Sequence, residues 1–91
     1  MKSDLSDIDI VRLCAKVLHY QEDVSPKLFD PLHDAAQAFT LVEALRMSVY
    51  CDYSYWWAAA EMIDGPHCAD LKRAICLCSA RVQLARGPGN G

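Results

Sequence analysis

The sequence predicts a small α+β domain of order α-α-β-β-α, with helices packed on a short antiparallel sheet. Three observations carry that reading. From Asp30 to Trp57 the apolar pattern changes from three- and four-residue steps to strict alternation, so a helix runs into a hairpin. Near the start, Leu5-Ser6-Asp7-Ile8-Asp9-Ile10 is a helix-opening motif. Near the end, a long apolar-rich stretch stops at Arg86 before Gly87-Pro88-Gly89-Asn90-Gly91. These place one domain over residues 1–86 and a flexible tail over 87–91.

In the first helix, Ser6 takes the N-cap and Asp9 stands three residues on, a capping box with Asp in place of Glu. Leu5 and Ile10 hold the staple positions, and Ile10, Val11, Cys14, Val17 and Leu18 form the apolar stripe. The helix fades near His19-Tyr20. Gln21 to Phe29 is polar, contains Ser25-Pro26 and reads as a loop. Two starts compete for the central helix, Asp30-Pro31 and His33-Asp34, and the helix is placed from Asp34. Its core face reads as Ala35, Ala38, Phe39, Val42 and Leu45. Met47, Val49 and Cys51 then alternate with Ser48, Tyr50 and Asp52, a strand with one buried face. Asp52 to Ser54 is the turn, and Tyr55-Trp56-Trp57-Ala58 is the second strand. Glu61 to Pro66 reads as a loop. The last helix runs from about His67 or Cys68 to Arg86. Its stripe is Leu71, Ala74, Ile75, Cys78, Val82 and Ala85, widened by Leu77, Ala80 and Leu84.

Composition narrows the function classes. Ninety-one residues, 53% of them hydrophobic, suit one globular core. A chain this small gains from dimerisation, so a homodimer is one expected partner arrangement. No apolar run is long enough to span a membrane, and the acidic opening MKSDLSDID is not a signal peptide. Five cysteines without framework spacing read as reduced thiols in a cytoplasm. Charge is uneven: residues 1–64 carry a net of −6 and residues 65–91 a net of +3. That balance argues against a nucleic-acid binder working through overall charge. It leaves one alternative, a nucleic-acid contact through Lys72, Arg73, Arg81 and Arg86.

The order of these motifs resembles a known family. Leu5-Ser6-Asp7, then Phe29-Asp30-Pro31-Leu32, then His33-Asp34-Ala35-Ala36-Gln37-Ala38-Phe39-x-Leu41-Val42-Glu43-x-Leu45 leading to Met47-Ser48-Val49, is similar to the phage ABA-sandwich domain proteins and the lambda NinX-like proteins. Asp70-Leu71-Lys72-Arg73-Ala74-Ile75-Cys76 also looks like that family's closing helix, although here the arginine precedes the Ala-Ile-Cys rather than following it. The resemblance spans about residues 5 to 82 and rests on packing motifs. It implies a sheet sandwiched between helices, an accessory phage or prophage protein, and no catalytic residues.

Five of the eight aromatic residues, Tyr50, Tyr53, Tyr55, Trp56 and Trp57, fall within eight positions. Neighbouring tryptophans on a strand point to opposite faces, so one core layer cannot take both. Tyr and Trp anchor protein partners because they bury large area at low entropy cost, and these five are the candidate partner-binding residues. The alternative is that they only pack the core and sheet edge. Cys76 and Cys78 point about 200° apart on a helix and cannot chelate one ion, so no metal or other cofactor is expected. No spacing favours His19, His33 or His67 as a base for Cys51 or Cys68, and there is no glycine-rich phosphate loop. The expectation is a non-enzymatic protein of the host cytoplasm that binds and inhibits a host protein, with a defence complex, as in anti-CRISPR activity, as one concrete target.

Overall fold

The structure is a computed structural model that describes residues 5–20 and 28–87. Three helices, α1 (Asp7–Val17), α2 (Ala35–Leu45) and α3 (Leu71–Arg86), accompany three strands, β1 (Ser48–Asp52), β2 (Tyr55–Ala60) and β3 (Ile63–Asp64). The sheet is antiparallel in the order β1-β2-β3. The α+β class and the packing of helices on the sheet are as the sequence predicts. The loop expected over Gln21–Phe29 falls largely on 21–27, and the tail beyond Gly87 on 88–91; both lie outside the described residues.

Local chemistry explains the helix ends. Ser6 Oγ accepts from the Asp9 amide at 3.2 Å, which satisfies one of the free donors at the start of α1. Asp34 caps α2 by accepting from the Gln37 amide at 3.2 Å, and Asp70 caps α3 by accepting from the Lys72 amide at 3.1 Å. α1 and α2 close alike. His19 (φ 63) and Arg46 (φ 52) take left-handed backbone, and the next amide reaches back five residues, Tyr20 to the Ala15 carbonyl and Met47 to that of Val42. These are Schellman closures with a side chain where glycine is usual. Each places an apolar residue: Tyr20 meets Phe29 edge-on at 5.1 Å, and Met47 is buried.

α3 is the centre of the core. It packs on β2 and β3 and also on α1 and α2, while α1 and α2 touch each other little. Ala74, Ile75, Cys76, Cys78, Ser79, Ala80 and Val82 are all fully buried. The small side chains among them, Ala74, Cys76, Cys78, Ser79 and Ala80, let neighbouring backbones approach closely. Ser79, polar in this setting, donates to its own Ile75 carbonyl at 2.9 Å.

Several expectations need correction. α3 starts at Leu71 rather than at His67 or Cys68, because Asp70 supplies the cap. It buries Cys76 and Ser79 as well, whereas Leu84 and Ala85 face solvent. The core face of α2 is Ala38, Leu41 and Leu45, with Val42 half-buried; Ala35 and Phe39 are exposed. Cys51 shares a face with Val49, as the alternation predicts, yet it is exposed. The segment read as a loop over Glu61–Pro66 contains β3. Its turn, Glu61-Met62, has φ 52 and φ 65, the pair of positive values that makes a tight two-residue hairpin.

Candidate partner-binding surface

The register of the sheet sorts the hairpin aromatics onto two faces. Val49, Cys51, Trp56, Ala58, Ala60 and Ile63 share the side toward α3, where Ala58 and Ala60 are buried. Ser48, Tyr50, Tyr55, Trp57, Ala59 and Asp64 share the other side, and none of these is buried. No described helix covers that second face, so the sandwich implied by the resemblance is not formed among the described residues. The structure therefore brings Tyr50, Trp57 and Tyr55 onto one open face and sends Trp56 to the opposite one, half-buried at the margin of the helical layer.

Tyr50 and Trp57 are directly opposed across β1 and β2, and their rings stack with centroids 5.2 Å apart and planes 21° apart. His67 meets the far side of Trp57 edge-on at 4.4 Å. Tyr50, Trp57 and His67 thus form an aromatic row across the sheet. Such pairs contribute about 0.5–1.5 kcal/mol each beyond the area they bury. The row is preorganised yet open, with Tyr50 45% exposed, and Tyr55 on the same face is 54% exposed. Tyr53 stands at the tip of the β1–β2 loop, almost wholly exposed, with φ 54. His67 was not legible as a member because its segment carries no strand signal. It is held by Cys68, whose amide and carbonyl bond those of Trp56 at 2.8 and 2.7 Å. Met62, at the opposite end of the sheet, is also fully exposed on a left-handed turn.

The four cations of the alternative site are dispersed and engaged. At about 100° per residue, Lys72, Arg73, Arg81 and Arg86 point around most of the circumference of α3. Lys72 pairs with Asp70 at 3.5 Å, Arg73 with Asp7 at 3.0 Å, and Arg86 with Glu61. Arg81 donates to the Asp64 carbonyl at 2.9 Å. Phosphate binding would have to compete with these partners.

Among the described residues, no thiol is hydrogen-bonded to a histidine. Cys14 donates to the Cys76 carbonyl at 3.5 Å; a side-chain hydrogen bond with the Cys76 thiol, then burial, pushes its own thiol far above the ordinary range. Burial also raises Cys68 and Cys78, which donate to the Pro66 and Ile63 carbonyls. Raised thiols are poor nucleophiles at neutral pH. His33 is tied to Asp30, with Nδ1 3.0 Å from the carboxylate. Among the described residues, no three His, Cys, Asp or Glu side chains gather as a metal site, and no helix is long and apolar enough to cross a membrane.

Comparison with protein-family models, with curated proteins and with solved structures finds no match.

Proposed function

We propose that this chain is a small phage or prophage accessory protein that acts by occupying the surface of a host protein, with Tyr50, Tyr55 and Trp57 as its anchors and His67 beside them. The observation that carries the binding reading is the stacked aromatic row on a sheet face that no described helix covers. Rigid aromatic side chains already held in place lose little freedom on docking. The phage setting rests on the sequence resemblance alone. Inhibition of a host-defence complex, in the manner of an anti-CRISPR, is the concrete form of the proposal: a small chain with an open aromatic face alters a larger machine by covering it.

The test is affinity capture of the tagged chain from bacterial host lysate, read by mass spectrometry, with Trp57→Ala and Tyr50→Ala beside it. One host complex at near-stoichiometric yield, lost with Trp57→Ala while circular dichroism stays unchanged, is the expected result. Capture of nothing, or equal capture by both variants, would sink the proposal. Retention of duplex or single-stranded nucleic acid at low salt, abolished by Arg81→Ala, would favour the basic-helix alternative instead.

A further inference from the structure

We infer that two copies of this chain pair through the outer edge of β1, joining their sheets into one continuous antiparallel sheet. The inference comes from the phase of the hydrogen bonds and does not depend on the host-protein reading. Trp56 exchanges both of its backbone bonds with Cys68, and the Ala58 carbonyl accepts from Gly65 at 2.8 Å. Both residues therefore direct their backbone groups away from β1. Their register partners, Cys51 and Val49, form the non-hydrogen-bonded pairs of the β1–β2 ladder. The amide and carbonyl of Val49 and of Cys51 accordingly point outward from the sheet, and no described residue meets them.

Sheet edges are ordinarily blocked by lysine, proline, a bulge or a covering element. Ser48-Val49-Tyr50-Cys51-Asp52 has no lysine or proline, its register with β2 is unbroken, and no described element covers it. The edge is also self-complementary. With a two-fold axis at Tyr50, Val49 lies opposite Cys51 of the second copy. Each such pair exchanges two backbone bonds and there are two pairs, so the edge gains four. An axis at Val49 or at Cys51 gives only two. The same register sets Asp52, the one charge on the strand, opposite Ser48 rather than opposite its own copy. It also brings that carboxylate toward Arg46, an exposed cation with no carboxylate partner among the described residues. Tyr50 falls on the axis beside its copy, in the closely spaced kind of pair, on the open face. The two aromatic rows then run on as one, from His67 through Trp57 and Tyr50 to the corresponding residues of the second copy.

The full chain is examined by sedimentation velocity between about 10 µM and about 1 mM, since self-association depends on concentration. The expected result is a dimer fraction that rises over that range. Cys51→Pro removes an outward amide and no bond of the β1–β2 ladder, and weakens the dimer at least about tenfold. Arg46→Asp and Asp52→Arg each weaken it, and the double variant restores it. Asp52→Arg serves if the proline variant fails to fold by circular dichroism. Tyr50→Cys in a Cys51→Ser background closes a symmetric disulfide under mild oxidation, because the pair on the axis has Cα atoms about 4.5 Å apart. A chain that stays monomeric throughout, or a dimer indifferent to both the proline and the charge reversals, overturns the inference. A monomer that still captures a host protein overturns the pairing and leaves the proposed function standing.

Discussion

Residue by residue, the unusual positions are those where backbone and side chain disagree. Five residues other than glycine, His19, Arg46, Tyr53, Glu61 and Met62, take positive φ. Strain of this kind costs on the order of 1 kcal/mol per residue and persists only where packing or function holds it. At Arg46 the closure that buries Met47 is a sufficient reason. At Met62 the side chain is fully exposed and nothing described packs on it. Met62→Gly is therefore expected to raise stability by about 1 kcal/mol in chemical denaturation. The thiols supply a second prediction. Cys14, Cys68 and Cys78 are all raised above the unfolded value of 9.0, so the folded state holds these protons more tightly than the unfolded chain does. Their contribution is whole below pH 9.0 and diminishes as pH climbs above it. The denaturation midpoint should fall between neutral pH and pH about 10, and fall less in Cys14→Ala. A midpoint that rises over this range would contradict the assignment.

Among the elements, legibility followed how local the signal is. The Ser6 cap of α1 was readable because its determinants lie within a few residues. The switch from α2 into β1 was readable because the period changes there. The face of α2 was not: Phe39 draws the apolar stripe toward itself, yet the stripe through Ala38, Leu41 and Leu45 has equally good spacing, and only α3 decides between them. β3 was not readable because it has two residues and a Glu-Met turn without the customary Gly or Asn. His67 consequently stayed outside the predicted site. β3 and its return segment also explain Gly65. A Cβ there would lie 3.0 Å from Cys78 Cβ and 3.3 Å from the Ala58 carbonyl oxygen, pinched between α3 and β2. Gly65→Ala is expected to cost about 1–3 kcal/mol and to lower the melting temperature. An unchanged melting temperature would mean that β3 does not hold this position in solution.

At the scale of the molecule, the sheet is covered on one side and the helices meet through a single member. α1, α2 and the sheet each lean on α3, which supplies the largest share of the buried core. A chain stopped at residue 69 is expected to lack a cooperative thermal transition, whereas a chain stopped at residue 87 should retain it. A sharp transition in the shorter chain would show that the earlier elements form a core of their own. This dependence was only half legible. The breadth of the apolar surface on α3 indicated either deep burial or contact with two partners, but the sequence does not say that α1, α2 and the sheet all meet on this one helix.

Because α3 follows every other described element in chain order, it also sets when those elements can pack. A ribosome reading from the N-terminus delivers α1, α2 and all three strands before the helix against which they pack. Until residues 71–86 emerge, the nascent chain carries the apolar faces of α1 and α2 and the aromatic hairpin without their common support, as a client for chaperones and a substrate for proteases. Synthesis thus sets a delay that ends in one step, when a single sixteen-residue helix joins three separate surfaces at once.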